Sequence, residues 1–172
     1  MNREKWLRSP EVRKLVAHVA EVLPPELTAL VACELAEHAL AAFGEEDQSI
    51  VRGAQARVRA WALGGQRPEL RESAALDDDG PWPNARALSA GLLLLPHRPA
   101  HAGELADHVA SALGEPDASE LLADTLRELV PYLNAPELRF ERVAPDRIIT
   151  DSLEWRVEGG RLVSSTLSRP SS

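Results

Sequence analysis

Hydrophobic residues recur every three or four positions over most of the chain, which is the period of an α-helix with one buried face. The first such stretch begins at Ser9-Pro10-Glu11, where a capping serine, a first-turn proline and an acidic residue are typical of a helix N-terminus. Prolines and glycines divide the pattern further. We predict helices over residues 9–23, 25–43, 45–63, 82–95, 101–113 and 117–133, with a short helical piece at 68–75.

The second of these helices is apolar on nearly all sides, and a helix of that kind is normally central. We therefore predict that residues 26–43 are the hub of the bundle, with Gly44 as the C-cap. The hub contains Glu34, in line with Val31, so its carboxylate should be buried and must have a partner. An arginine of the third helix and His38 are the two partners that the sequence offers.

Towards the C-terminus the period changes from helical to alternating. Residues 138–141 alternate between apolar and polar side chains, and the alternation is clearer over 153–157 and 162–164. Gly159-Gly160 favours a tight hairpin between the last two segments, because such turns require positive φ. The predicted register places Glu158 opposite Arg161 and Trp155 opposite Ser164.

These patterns predict a mainly α protein, a bundle of about six helices with a small C-terminal antiparallel β-hairpin or three-stranded sheet. We expect a single domain over residues 1–167, with the bundle at about 9–134, the β-rich part at about 137–167 and a frayed tail at 168–172. A hairpin is marginal by itself, so the sheet should pack on the bundle.

The composition argues against a membrane-spanning, a secreted or a nucleic-acid-binding protein. The longest unbroken apolar run is far shorter than the roughly 20 residues of a membrane span, and the N-terminus lacks the apolar core of a signal peptide. The single cysteine, Cys33, suits a reducing compartment, so we expect a cytoplasmic protein without a membrane partner. The formal net charge of −8 argues against nucleic acid as a partner, because phosphates attract basic surfaces. An acidic surface can attract a basic protein, and the other interpretation is that the charge serves only solubility.

A metal site is the best enzymatic alternative. His101, Glu104 and His108 fall within about 60° of one another on the predicted fifth helix, and Glu34 and His38 share a face of the hub. Two helices that offer carboxylates and imidazoles to one cavity would form a metal-binding bundle. The opposite interpretation is that the fifth-helix residues are a solvated face and that Glu34 has a protein partner.

Other catalytic templates do not match. Three consecutive acids at 77–79 lack the alternating ligands and the final glutamate of a calcium loop. The chain contains no GxSxG, P-loop or GxGxxG sequence. Cys33 lies in an apolar run, where a thiol is normally an inert packing residue. We therefore predict no catalytic residue and no cofactor.

Two neighbouring segments carry a family resemblance. The segment Ala36-Glu37-His38-Ala39-Leu40 leads to Phe43, an acidic loop follows, and the next helix ends in Arg59-Ala60-Trp61-Ala62 before Gly64. This pattern resembles a helical immunity-protein family of bacterial polymorphic-toxin systems, whose members carry A-E-H/R-x-L-x-x-F, an acid-containing loop and R-A-W-A-x-G. The resemblance covers about residues 30–65, but the usual Pro-Arg run before the third helix and the Ala-rich repetition further on are absent. From the residues alone, Trp61 belongs to a buried stripe and Arg59 can pair with Glu37 or Glu34.

The resemblance implies a non-enzymatic protein-binding module that neutralises a cognate toxin by occluding its active site. A basic toxin domain would suit an acidic inhibitor. The residues that we expect at such an interface are Glu45, Glu46, Asp47, Asp77, Asp78, Asp79 and Trp82. Trp82 has a second interpretation, packing onto the fourth helix. A third function remains open, a structural or regulatory subunit that assembles through its C-terminal strands, because exposed strand edges accept another strand.

Overall fold

A computed structural model describes residues 1–69 and 84–167 of the chain. In that part, α-helices are followed by an antiparallel sheet, so the predicted fold class, mainly α with a small C-terminal sheet, is confirmed. The helices are α1 (Arg3–Arg8), α2 (Val12–Val22), α3 (Pro25–Ala39), α4 (Glu45–Ala62), α5 (Ala85–Leu94), α6 (Ala102–Leu113) and α7 (Ala118–Leu129). The strands are β1 (Glu141–Ala144), β2 (Arg147–Ile149), β3 (Leu153–Glu158) and β4 (Arg161–Thr166). No helix within these residues is long and apolar enough to cross a membrane.

The N-terminal helix α1 was not predicted, and its presence moves the expected start of the next helix. Asn2 caps α1 by accepting a hydrogen bond from the Lys5 amide at 2.8 Å. Trp6 anchors the helix and is only 2% exposed. Ser9 therefore ends α1 instead of capping α2, which begins at Val12. A helix of six residues with one buried side chain is too short to show a hydrophobic period.

The predicted hub is confirmed by α3, which contacts α2, α4, α5, α6, α7 and β4. Its C-terminal boundary was predicted wrongly. The α-helix ends at Ala39, and a 3₁₀ turn over Leu40–Ala42 follows. Gly44 has a φ of −68° and caps the N-terminus of α4, so it is not a left-handed C-cap.

The other helix boundaries differ from the predicted ones by a few residues. The helix predicted from residue 82 begins at Ala85 within the described residues, because the Asn84 side chain accepts a hydrogen bond from the Ala87 amide at 2.8 Å. Gly114, with a φ of 68°, caps α6 as predicted. The short helical piece predicted at 68–75 and the frayed tail at 168–172 fall largely or wholly outside the described residues.

The sheet has the strand order β1-β2-β3-β4 and is built from consecutive hairpins. The predicted register of the last hairpin is confirmed, with Glu158 opposite Arg161 and Trp155 opposite Ser164. Both loop glycines of that hairpin have positive φ, 58° and 79°. The hairpin between β1 and β2 makes this a four-stranded sheet, larger than the predicted two or three strands.

The sheet packs on the helical bundle through its inner face, as expected from the instability of an isolated hairpin. The hydrophobic core that contains the buried residues of α3 also includes four residues of the sheet, Ile148, Leu153, Trp155 and Leu162. At the edge of the sheet, the Ser164 hydroxyl donates a hydrogen bond to the last residue of α7, the Leu129 carbonyl, at 2.6 Å. Helices and strands therefore share one core.

Candidate functional site

The buried carboxylate of the hub has a partner, but neither of the two that were predicted. Glu34 is 5% exposed, and its two carboxylate oxygens accept hydrogen bonds from Arg161 Nε at 3.0 Å and from the Leu162 amide at 2.8 Å. Both donors belong to β4, so Glu34 attaches the sheet to α3. His38, one turn further along α3, is exposed. The arginine pairing is typical of a structural carboxylate.

His101 and His108 were both predicted on the fifth helix, but only His108 lies in the α-helix α6. His101 lies in a 3₁₀ turn before α6, where its Nδ1 is 3.2 Å from Glu104 Oε2. Glu104 also faces Arg13 at 3.8 Å. Burial lowers the pKa of His101 below its usual value, although the neighbouring Glu104 acts in the opposite direction. Burial and the nearby His101 also lower the pKa of His108.

These positions give the metal alternative no support. Over residues 1–69 and 84–167, no group of three His, Cys, Asp or Glu side chains is arranged to hold a metal ion. The carboxylate of Glu34 is already occupied by β4, and the Nε2 atom of His101 is buried against α5, close to Gly91. Nε2 of His101 is therefore inaccessible to a metal ion, and its Nδ1 faces Glu104.

The single thiol is also unsuited to chemistry. Cys33 is fully buried in α3, and burial raises the pKa of its thiol to about 12. The thiolate, which is the nucleophilic form, is therefore negligible at neutral pH. This agrees with the predicted packing role.

The residues that carry the family resemblance join α3 to α4. Gln55 of α4 donates hydrogen bonds at 3.0 Å to Glu37 Oε2 and to the Cys33 carbonyl. Arg59 lies 3.9 Å from the same Glu37 carboxylate, one of the two pairings that the sequence offered. Trp61 is 7% exposed, as predicted for the buried stripe. These side chains therefore serve helix packing.

The predicted acidic surfaces are only partly within the described residues. Glu45, Glu46 and Asp47 form the first turn of α4, where they complement the positive end of the helix dipole. All three are exposed and make no ion pair with other described residues. The remaining predicted interface residues, Asp77, Asp78, Asp79 and Trp82, lie outside the described part of the chain.

A second acidic surface lies on α7 and was not predicted. Five exposed side chains occupy an arc of about 100° on that helix, counted at 100° per residue. They are Asp117, Glu120, Leu121, Asp124 and Glu128. We call these five residues the α7 face. Leu121 is 47% exposed. The α7 face therefore combines four carboxylates with one exposed apolar side chain.

A signal for the α7 face exists in the sequence as a local charge imbalance. Residues 102–129 contain seven acidic residues and one basic residue, so this stretch alone has a net charge of −6. The overall value of −8 hides this concentration. Counting charge by segment would have identified α6 and α7 as the acidic part of the bundle.

The outer edges of the sheet differ in accessibility. The β4 edge is covered, because Glu34 accepts from the Leu162 amide and the helices α3 and α7 contact this strand. The β1 edge is short, and its pairing with β2 is irregular between Arg142 and Ala144. Short, bulged and charged edge strands are devices against strand addition. This geometry does not favour assembly through the C-terminal strands.

Comparison with known proteins adds no further assignment. No protein-family model, no curated protein and no solved structure matches the chain.

Proposed function

We propose that this protein is a non-enzymatic protein-binding module that recognises a basic partner through the α7 face. The observation that carries the proposal is the arrangement of α7, where four exposed carboxylates and one exposed leucine share one side of the helix. The face extends over about 17 Å, because eleven helical steps of 1.5 Å separate Asp117 from Glu128. A surface of this size can contact a helix or loop of another protein.

Three of the four carboxylates of the α7 face make no ion pair with the residues that the structure describes. Arg127 is the one basic residue of α7, and its guanidinium points towards α1, where it donates hydrogen bonds to the Trp6 and Ser9 carbonyls. It also pairs with Asp124 at 2.8 Å. The other three carboxylates of the face make no ion pair with any described residue. They are therefore available to lysine and arginine side chains of a partner.

The apolar member of the face gives such a partner an anchor. Carboxylates at an interface steer encounter and select a basic partner, whereas buried apolar contacts supply more of the affinity. Leu121 is the exposed apolar residue among these acids. A basic segment with one apolar side chain would fit this combination.

In biological terms, we propose the role of an immunity protein that blocks a toxin by occlusion. The support is the resemblance over residues 30–65 together with an acidic face that suits the basic clefts of toxins that act on nucleic acid. Occlusion requires a rigid surface and no chemistry of the inhibitor. We expect the protein to act in the cytoplasm, where Cys33 stays reduced.

The test compares two variants that change the net charge equally. One variant reverses two charges of the α7 face, Glu120→Lys with Glu128→Lys, and the control reverses two charges of the α4 first turn, Glu45→Lys with Glu46→Lys. Proteins captured from the native cell by the wild type are identified by mass spectrometry, and each purified partner is then titrated against the three proteins at two salt concentrations.

The proposal predicts a basic partner whose affinity falls at least about tenfold with the α7 variant, equal to 1.4 kcal/mol, and changes much less with the control. Affinity should also decrease as salt increases. If both variants bind the partner as tightly as the wild type, the α7 face is not the interface. If the control variant alone loses binding, the predicted α4 surface is the correct one.

A further inference from the structure

Arg127, the one basic residue of α7, lies at the border of the α7 face. At 100° per residue its direction differs by about 20° from that of Glu120 and by about 60° from that of Asp124. Seven residues, or about 10.5 Å along the axis, separate Arg127 from Glu120, a span that an extended arginine and an extended glutamate cover together. Nevertheless, the Arg127 side chain is only 16% exposed, because it is directed towards α1.

Two carbonyl groups at the C-terminal end of α1 hold the guanidinium in this position. Arg127 Nε donates to the Trp6 carbonyl at 2.7 Å, and Nη2 donates to the carbonyl of Ser9, the residue that follows α1. Carbonyls at the end of a helix lack partners within it, and a cation there also complements the helix dipole. Nη1 pairs with Asp124 at 2.8 Å. Arg127 therefore binds α1 with two of its nitrogens and the α7 face with one.

The docking of α1 depends on few contacts. Trp6 is the one buried residue of this helix, and its ring lies 5.7 Å from that of His18 and 6.5 Å from that of Tyr132, between centroids. Tyr132 also donates a hydrogen bond to the Met1 carbonyl at 3.0 Å. Isolated helices shorter than about 12 residues are marginal in water, so α1 keeps its conformation only while Trp6 is docked. This helix therefore belongs to the part of the fold that opens at low free-energy cost.

From these contacts we infer that α1 is a latch that controls the charge of the α7 face. While α1 is docked, its carbonyls keep the Arg127 guanidinium off the face. After release of α1, the guanidinium loses both carbonyls, and the acceptors within its reach on α7 are Asp124 and Glu120. The face then contains its own counter-ion, which repels a basic partner.

The inference rests on the proposed function, because the latch regulates the same surface. Linkage makes the effect reciprocal. If release of α1 weakens the binding of a basic partner, the bound partner must favour the docked state of α1 by the same factor. The protein would therefore hold α1 most firmly while the α7 face is occupied.

The test measures how release of α1 changes the binding of a simple cationic probe, hexalysine. The full chain, labelled with ¹⁵N, is titrated with the probe, and the affinity is taken from the amide shifts of α7. Trp6→Ala releases α1, and Asn2→Ala loosens it by removing its N-cap without opening the core. Leu7→Ala, on the exposed side of the same helix, is the matched control. Hydrogen exchange of the α1 amides reports the release, and circular dichroism checks that the bundle is folded.

We expect hexalysine to bind Trp6→Ala about two- to fivefold more weakly than the wild type, Asn2→Ala with a smaller loss, and Leu7→Ala without change. Release also moves the cations of α1 away from the bundle, which favours a cationic probe, so a loss of affinity identifies Arg127. Trp6→Ala combined with Arg127→Met should restore the wild-type affinity, because the released guanidinium is then absent. Unchanged affinity after release, or a loss that Arg127→Met does not restore, would overturn the inference.

A second measurement distinguishes failure of the latch from failure of the proposed function. Glu120→Gln removes an acceptor that Arg127 reaches only after release, so it should slow the exchange of the α1 amides about twofold. In the Arg127→Met background the same substitution should have no such effect. If hexalysine does not shift the α7 amides of the wild type, the proposed function fails at this surface and the exchange rates decide about the latch. Equal effects of Glu120→Gln in both backgrounds would refute it.

Discussion

Replacing Glu34 by alanine tests how the sheet is attached to the hub. Glu34 reaches from α3 to β4, where its oxygens accept hydrogen bonds from Arg161 and from the Leu162 amide. The two bonds differ in environment. The Arg161 side chain is 60% exposed, whereas Leu162 is 6% exposed. Only the amide loses access to a replacement partner when the carboxylate is removed.

The magnitude follows from that difference. Leaving the buried Leu162 amide without an acceptor costs about 1–3 kcal/mol. The pair with Arg161 adds at most about 1 kcal/mol, because water solvates the exposed guanidinium after the substitution. We therefore expect Glu34→Ala to lower the free energy of unfolding by about 2–3 kcal/mol. Glu34→Gln retains an acceptor for the amide and should cost about 1 kcal/mol.

Urea unfolding followed by circular dichroism measures these values, with the midpoint and the slope fitted for each variant. Arg161→Ala leaves the buried Glu34 carboxylate without its cation and should also cost about 1–3 kcal/mol, whereas Glu115→Ala, an exposed acid in a loop, should cost close to nothing. Two results would refute the reasoning. One is a Glu115→Ala loss as large as that of Glu34→Ala, and the other is a Glu34→Ala loss below about 0.5 kcal/mol.

Three further predictions concern packing, reactivity and pH. Gly91→Ala should lower the melting temperature, because the added Cβ would lie 2.8 Å from Leu105 Cδ1. The Cβ added by Gly53→Ala meets nothing within 4 Å, so this variant should raise the free energy of unfolding by about 0.5–1 kcal/mol. The Cys33 thiol, whose pKa burial raises to about 12, should react with a thiol reagent at pH 8 only as fast as the protein unfolds, and fast labelling of the native protein would contradict its burial. Burial lowers the pKa of His101 from 6.5, so the unfolded chain binds that proton first and stability should decrease as pH falls below about 6.5. Urea midpoints from pH 7.5 to 5.5 should show this decrease, and His101→Gln should reduce it.

The fold was predictable because its signals are local. The period of the hydrophobic residues located α3 as the hub, and the Gly159-Gly160 pair located the last hairpin with its register. The failures have physical causes. The helix α1 depends on one residue, Trp6, whose environment is formed by His18 of α2 and by Tyr132, which follows α7. No local pattern contains that information.

The candidate sites were less predictable, because a partner or a surface is defined by tertiary contacts. The burial of Glu34 followed from its position in an apolar stripe, but its partner Arg161 is 127 residues away. Leu121 directly precedes the buried Leu122, lies about 100° from it around α7 and is exposed. Periodicity identifies a face only to within about one residue, or 100°, and an edge residue can lie on either side of the boundary.

The polar residues of α3 explain why recognition is expected at the periphery of the bundle. Glu34 and Glu37 are one turn apart, and each is used for assembly, Glu34 with β4 and Glu37 with Gln55 and Arg59 of α4. A carboxylate that is already paired within the fold is not available to bind a basic side chain of a partner protein. Asp117, Glu120 and Glu128 of the α7 face have the opposite character, since they are exposed and make no ion pair with other described residues. Substitutions at Glu34 or Glu37 should therefore reduce stability and leave the partner preference unchanged, whereas charge reversal on the α7 face should change binding at constant stability.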